Sequence, residues 1–91
     1  MIFRRHAWER MESRGISVSD VLHVLDSGEQ IEQYHDDTPP FPSALMLALI
    51  RERPLHVVVA RDAANDTTYV VTAYEPDPNE WDDEFRRRRT P

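Results

Sequence analysis

The chain has 91 residues, of which 40% are hydrophobic and 31% are charged, and its net charge is -6. These values predict a single folded domain over residues 1–91 and argue against a disordered chain or a non-specific nucleic-acid coat protein. The absence of cysteine excludes disulfides and thiolate metal sites, and no apolar run approaches the roughly 20 residues that cross a bilayer, so we expect a cytoplasmic protein.

Two short helices are predicted at the start of the chain. Apolar side chains recur at helical spacing from His6 to Arg14, and Gly15 is placed to end this first helix. Ser17 is suited to cap a second helix, whose apolar stripe stops at Ser27–Gly28. A tight turn is therefore expected between the two helices.

The rest of the chain alternates strand and turn signals. In chain order they predict an edge strand at 30–35, a loop at 36–43, a central strand at 44–50, a turn at 51–54, and strands at 55–61 and 67–74 joined by a loop at 62–66. Periodicity alone leaves a helix open at 44–50, and a further strand at Ile2–Phe3 is also left open. Helices followed by strands indicate an α+β fold, with two N-terminal helices packed on a three- to four-stranded antiparallel sheet.

The first helix carries a cationic edge beside its apolar face. Steps of four residues place His6, Arg10 and Arg14 along this edge. Guanidinium groups offer paired donors to a phosphate, and histidine can transfer a proton near neutral pH, so the edge is a candidate site. The alternative is that Glu9, Glu12 and loop acids pair with these bases on a solvated surface.

Polar residues of the two clearest strands form a second candidate group. His56 alternates with the apolar residues of its strand, and Thr72 and Tyr74 share one face of the next strand. If the apolar residues face the helices, His56 and Tyr74 could open onto the exposed sheet face or its rim, where Arg51 or Arg61 adds a charge from a strand end. The alternative is that both are core side chains, each with one satisfied hydrogen bond.

Neither a metal ion nor a cofactor is expected. The four histidines have no ligand spacing, even with the His-Asp-Asp run at 35–37, and the chain lacks a glycine-rich phosphate loop. The arginine-rich end, 86–91, is expected to be a flexible, solvated tail, or else a contact for nucleic acid or an acidic partner.

Much of the chain resembles a known bacterial family. The segments HAWERMESRGIS (6–17), DVLHVLDSGEQIEQY (20–34), PLHVVVA (54–60) and VVTAYEPDP (70–78), followed by Trp81, resemble the family called domain of unknown function 4258. That family is similar in outline to small RelE-like and BrnT-like toxins, which have α+β folds and cleave RNA. The resemblance also implies a small zinc-finger antitoxin, because members of the family are often encoded beside one. The resemblance implies that the following residues are important for function: His6, Arg10, Met11, His56, Thr72 and Tyr74.

These features predict a bacterial toxin that acts as a metal-independent endoribonuclease. A ribose 2′-hydroxyl would attack its own 3′-phosphate, which requires a proton acceptor, a proton donor and cations. The catalytic candidates are His6, His56 and Tyr74, and the substrate-binding candidates are Arg10, Arg14, Arg61 and Thr72. Either histidine would transfer protons, and the tyrosine would donate a hydrogen bond or stack on a base. The expected partners are RNA, a cognate antitoxin and a second copy of the chain, with no membrane.

The alternative prediction is a non-catalytic interaction module. Its acidic blocks and arginine tail would bind a protein partner. Such a complex would survive loss of His6 and would weaken on deletion of residues 86–89.

Overall fold

The computed structural model describes residues 1–34 and 41–89 and confirms the α+β class. Its elements are, in chain order, β1 (Ile2–Phe3), α1 (Arg5–Arg14), α2 (Val18–Ser27), β2 (Glu29–Tyr34), β3 (Ser43–Ile50), β4 (Arg53–Asp62) and β5 (Thr67–Tyr74). Both helices precede the main strands, as predicted. Among the described residues, no helix is long and apolar enough to cross a membrane.

The sheet has five strands in the order β1–β5–β4–β3–β2. Neighbours from β5 to β2 are antiparallel, whereas β1 runs parallel to β5, with Ile2 paired to Tyr69 and Phe3 to Val70. The predicted three- to four-stranded antiparallel sheet is therefore wrong in strand number and in type. Strand β1 has too few residues to show an alternating pattern, so its pairing appears only in the folded sheet.

Both helix predictions are confirmed, and local interactions define the turn between the helices. Gly15 ends α1 in the left-handed conformation (φ 64°), and its N–H donates to the carbonyl of Met11. Ser17 and Asp20 form a capping box at the start of α2, in which each side chain accepts a 3.0 Å hydrogen bond from the other residue's N–H. These two caps produce the tight turn expected between the helices.

The predicted strands are present, with small shifts at their ends. β2 is an edge strand, β3 is an interior strand and not a helix, and β4 and β5 form a hairpin. The turn predicted at 51–54 is shorter than expected, since only Arg51 and Glu52, both with positive φ, separate β3 from β4. Of the loop predicted at 36–43, positions 36–40 lie outside the described residues.

The two faces of the sheet are covered by different parts of the chain. On one face, α1 and α2 pack over the sheet around a hydrophobic cluster that includes Ala7, Met11, Val24, Leu55 and Val57. The helix residues of this cluster recur at the predicted helical spacing, and its strand residues alternate. Local sequence pattern therefore accounts for this layer.

The opposite face is crossed by residues 75–89, here called the C-terminal segment. Its Trp81 is 2% exposed, and the Trp81 ring lies 4.5 Å from the His56 ring, measured between centroids. Residues 82–89 form turns and bends, and Trp81 and Arg88 pair in an isolated antiparallel bridge. A segment without regular secondary structure thus provides the second layer.

Candidate active site

A cleft of about 430 Å³ lies between α1 and the end of β5. Helix α1 contributes His6, Arg10 and Arg14, and β5 contributes Thr72 and Tyr74. The structure thus brings together most of the residues that the sequence singled out. The remaining wall is acidic and consists of Glu75, Asp77 and Glu80. We call this site the α1–β5 cleft, with a cationic wall on α1 and an acidic wall after β5.

The cationic wall is positioned by hydrogen bonds at both ends of α1. At the start, the backbone N–H of Arg4 donates to the carbonyl of Val70 in β5 at 2.9 Å. At the end, the Arg53 guanidinium donates to the carbonyls of Arg14 at 2.8 Å and Gly15 at 3.2 Å. Because both ends are held, α1 runs alongside β5 and presents its cationic edge beside that strand.

The side chains of the cationic wall make no direct polar contact with the part of the chain that the structure describes. Within residues 1–34 and 41–89, the side chains of His6, Arg10 and Arg14 form no hydrogen bond or ion pair. Glu9 pairs instead with Arg5, at 3.2 Å. The alternative, in which Glu9, Glu12 and loop acids pair with these bases, finds no such ion pair in the described ranges, although the loop acids of the opposite wall line the same cleft.

The sequence did not predict that the residues of the acidic wall belong to a site. Glu75 pairs with Arg53 at 3.0 Å, and Asp77 Oδ1 accepts a hydrogen bond from the N–H of Asn79 at 2.8 Å. The Glu80 carboxylate has no hydrogen-bond or ion-pair partner in the part of the chain that the structure describes. Acids recurring directly after β5 were a usable signal, but the prolines between them indicated only a break in the sheet.

His56 does not reach the cleft. It is fully buried beneath Trp81, so the predicted opening of His56 onto an exposed sheet face is wrong. Its Nε2 lies 2.8 Å from the carbonyl oxygen of Phe85, and its Nδ1 lies 3.2 Å from the hydroxyl of Tyr74. Burial lowers the pKa of His56, while the Phe85 carbonyl and the Glu32 carboxylate act in the opposite direction. The cover comes from a distant part of the chain, which local periodicity cannot reveal.

Arg61 lies at the opposite end of the β4–β5 hairpin. Antiparallel pairing sets Arg61 against Thr68, whereas His56 pairs with Tyr74 at the other end. The Arg61 guanidinium donates to Thr68 Oγ1 at 2.8 Å and pairs with Asp66. Arg61 is therefore not brought to the α1–β5 cleft.

The arginines of the C-terminal segment pair with acids of the same chain. Arg86 Nε lies 2.7 Å from Glu29 Oε2, and Arg88 Nε lies 3.1 Å from Glu32 Oε2. The Arg88 guanidinium also lies over the Trp81 ring, 4.7 Å from its centroid. These contacts attach the segment to β2, in contrast to the solvated tail expected from the sequence.

The described ranges contain no arrangement of side chains suited to a metal ion. No group of three or more histidine, aspartate or glutamate side chains there could hold one. The His-Asp-Asp run at 35–37 and positions 90–91 of the arginine-rich end lie outside these ranges.

Residues 3–75 match the family model described as domain of unknown function (DUF4258). The chain belongs to this family. The match includes the whole cationic wall and the β5 residues of the cleft, and it confirms the family resemblance found in the sequence. No curated protein and no solved structure matches the chain. The likeness of DUF4258 to RelE-like and BrnT-like toxins stays a prediction.

The DUF4258 match ends before most of the C-terminal segment. Asp77, Glu80 and the Trp81 cover over His56 all lie after residue 75. The cleft of this DUF4258 protein thus combines a cationic wall from the matched region with an acidic wall that lies mostly beyond it.

Proposed function

We propose that this DUF4258 protein is a toxin-type, metal-independent endoribonuclease that binds and cleaves RNA in the α1–β5 cleft. The observation that carries the proposal is the cationic wall, because His6, Arg10 and Arg14 line a cleft without a protein partner in residues 1–34 and 41–89. Unpaired guanidinium groups in a concave site suit a phosphate, since they offer planar, paired donors. Kinship with RelE-like and BrnT-like toxins, and a cognate antitoxin as partner, belong to the same proposal.

The reaction would begin with attack of a ribose 2′-hydroxyl on the adjacent phosphorus. The 2′-O–H bond breaks, a 2′-O–P bond forms, and the bond from phosphorus to the 5′-oxygen of the next nucleotide breaks. The products are a 2′,3′-cyclic phosphate and a 5′-hydroxyl. One group must accept the 2′ proton, another must protonate the leaving oxygen, and cations must stabilise the charge on the phosphate.

The cationic wall would supply two of these functions. Arg10 and Arg14 would hold the phosphate and stabilise the charge that develops on its oxygens. His6, in its imidazolium form, would donate a proton to the leaving 5′-oxygen. All three side chains are free of protein partners in the described part of the chain, so binding RNA would break no ion pair.

The acidic wall would supply the proton acceptor. We assign this role to Glu80, whose carboxylate has no hydrogen-bond or ion-pair partner in the described ranges. Glu75 is already paired with Arg53, and Asp77 caps a turn through Asn79. Glu80 takes the place predicted for His56, which is buried and has no contact with the cleft.

Incubation of the purified protein with end-labelled RNA, in the presence of a chelator, tests the proposal. We expect cleavage that leaves 2′,3′-cyclic phosphate ends. His6→Ala and Arg10→Ala should each reduce the rate at least about tenfold, which corresponds to about 1.4 kcal/mol. His23→Ala and Arg87→Ala are the matched controls, because both side chains lie outside the cleft.

Different outcomes would remove different parts of the proposal. Equal cleavage rates in His6→Ala, Arg10→Ala and the controls would show that the protein cleaves RNA at a site other than the α1–β5 cleft. Cleavage only after a divalent metal is added would remove the metal-independent mechanism. If the RNA stays intact both with and without ribosomes, the proposed endoribonuclease activity is ruled out.

The alternative, a non-catalytic interaction module, would bind a partner through the acidic blocks and the arginine-rich end, and three arginines of that end already pair within the chain. Arg86, Arg88 and Arg89 pair with Glu29, Glu32 and Asp83 of the same chain. A protein partner would have to displace these intramolecular pairs before it could use the arginine-rich end. We therefore favour the enzyme.

A further inference from the structure

Tyr74 links the α1–β5 cleft to the buried His56. Tyr74 is one of the residues that line the cleft, and its hydroxyl oxygen lies 3.2 Å from His56 Nδ1. The two residues are paired directly across β4 and β5, which places both rings on the same face of the sheet. The Trp81 ring stands at 85° to the imidazole and packs against it. The position of the histidine ring is therefore well defined.

The direction of the hydrogen bond between Tyr74 and His56 follows from the other nitrogen of the imidazole. His56 Nε2 lies 2.8 Å from the carbonyl oxygen of Phe85, which can only accept, so Nε2 carries a hydrogen. Burial lowers the pKa of His56 and favours the neutral ring. A neutral imidazole with its hydrogen on Nε2 has no hydrogen on Nδ1. The Tyr74 hydroxyl must therefore donate to Nδ1.

This arrangement leaves the Tyr74 oxygen only the role of an acceptor toward a ligand. Its single hydrogen is directed at His56, while a lone pair remains for a ligand. Burial raises the pKa of Tyr74, with Arg88 acting against this shift and Glu32 and Glu80 adding to it, so the hydroxyl keeps its hydrogen. A ligand group beside the Tyr74 oxygen must consequently be a hydrogen-bond donor.

A ribonucleotide has a donor in a suitable place. Its phosphate oxygens are acceptors and match the guanidinium groups of Arg10 and Arg14, whereas the neighbouring 2′-hydroxyl can donate. Deoxyribose lacks this hydroxyl and would leave the Tyr74 oxygen without a partner. The cleft thus presents donors on α1 and an acceptor on β5 to two adjacent groups of one nucleotide.

We propose that Tyr74, held as an acceptor by His56, recognises the ribose 2′-hydroxyl and makes the cleft selective for RNA over DNA. This rests on the proposed function, because it places RNA in the same cleft. Tyr74 is the contact residue, and His56 is a positioning residue that acts through it without touching RNA. The hydroxyl donates to Tyr74 in the bound state and turns its hydrogen toward Glu80 as the 2′-oxygen attacks.

Binding of mononucleotides to the full chain tests this recognition without cleavage, because a mononucleotide has no phosphodiester bond to a second nucleotide. NMR titrations with ribonucleoside 3′-monophosphates and their 2′-deoxy counterparts give the ratio of the two dissociation constants. We expect the ribonucleotides to bind about threefold to tenfold more tightly, the range for one added hydrogen bond. In Tyr74→Phe the ratio should fall to about one. Tyr69→Phe is the matched control, because Tyr69 belongs to the same strand but stacks on Phe41 outside the cleft.

The positioning role of His56 needs its own measurement. His56→Phe keeps a flat ring against Trp81 but removes the acceptor, so it should abolish the selectivity, whereas a purely structural role would weaken both nucleotides equally. Nitrogen–proton correlation spectra of the wild type should also show His56 with its hydrogen on Nε2. A hydrogen on Nδ1 would overturn the proposal even if His56→Phe does not fold.

The remaining outcomes separate this proposal from the catalytic one. Recognition of the 2′-hydroxyl is overturned if the two dissociation constants are nearly equal for the wild type, or if their ratio is unchanged in Tyr74→Phe. Neither result bears on nuclease activity, which the cleavage assay tests separately. A ratio that depends on Tyr74, without any cleavage of RNA, supports recognition and overturns the nuclease.

Discussion

The cationic wall of the cleft and the arginine-rich end contain the same residue type in opposite settings. Arg10 and Arg14 line a cleft without a protein partner in the described ranges, whereas Arg86 and Arg88 pair with glutamates of β2. All eleven basic residues are arginine, so residue type does not explain the difference. The comparison shows that Arg86 and Arg88 become structural because acids of β2 lie within ion-pair distance, whereas the acids that line the α1–β5 cleft make no such pair with Arg10 or Arg14.

The acids available to each group account for this difference. Arg86 and Arg88 are 57 and 56 positions away from their partners in β2 and meet them only because the C-terminal segment crosses the sheet. On α1, the acid Glu9 is one helical turn from Arg5 and pairs with it. Within residues 1–34 and 41–89, Arg10 and Arg14 have no ion-pair partner, although Glu75, Asp77 and Glu80 line the same cleft.

The largest expected effect concerns the attachment of the C-terminal segment. Trp81→Ala removes a side chain that is almost completely buried against His56, and we expect it to lower the free energy of unfolding by about 3–5 kcal/mol. Trp8→Ala is the matched control, because the half-exposed Trp8 has Phe3 as its aromatic neighbour, and it should cost about 1 kcal/mol. Urea denaturation of both variants measures the difference, and equal losses would contradict the anchoring role of Trp81.

A smaller effect should appear in RNA binding with little change in stability. Replacing Arg10 and Arg14 together by alanine should weaken binding of single-stranded RNA at least about tenfold. It should also make the salt dependence of binding shallower by about 0.7 for each phosphate that the variant no longer neutralises. The free energy of unfolding should change by less than about 0.5 kcal/mol, because neither side chain has a partner in the described ranges. Fluorescence anisotropy at several salt concentrations measures the binding, and unchanged affinity would show that Arg10 and Arg14 do not hold RNA.

The arginine-rich end should behave in the opposite way. Arg88→Ala removes an ion pair with Glu32 and a cation–π contact with Trp81, so it should lower the free energy of unfolding by about 1 kcal/mol. For a domain of this size the melting temperature should fall by about 4–8 °C. Arg87→Ala is the control, because the Arg87 side chain has no partner in residues 1–34 and 41–89. If the two variants have the same melting temperature, the contacts of Arg88 do not contribute to the stability of the fold.

The smallest expected effect is on the pH dependence of stability. Burial tends to raise the pKa of Glu32, but hydrogen bonds from Tyr34 and Arg88 outweigh it and lower the pKa below its ordinary value of 4.5. A lowered pKa in the folded state stabilises the protein above pH 4.5, and this contribution is lost as the pH falls through the folded-state pKa. Glu32→Gln should therefore flatten the acid side of the stability curve by less than about 1 kcal/mol. Urea denaturation from pH 7 down to pH 3 measures the curve, and identical curves would show that the pair with Arg88 adds no acid sensitivity.

Several parts of the fold and site could be predicted because their signals lie close together in the chain. The caps at Gly15 and Ser17 define the turn between the helices, and β5 has the bounds that its β-branched run predicts. His6, Arg10 and Arg14 could be assigned to one edge because helical spacing brings residues four apart onto one side. Their grouping with β5 needed the packing of α1 along that strand.

The sequence by itself determined the two helices, the β4–β5 hairpin, the cationic edge of α1 and membership of the DUF4258 family. Only the tertiary structure decided that β1 joins the sheet, that the C-terminal segment buries His56, and that Glu80 borders the cleft. The physical reason is the range of each signal. Helical and strand periodicity report neighbours within a few residues, whereas burial and ion pairing depend on side chains that are far apart in the chain and meet only after folding.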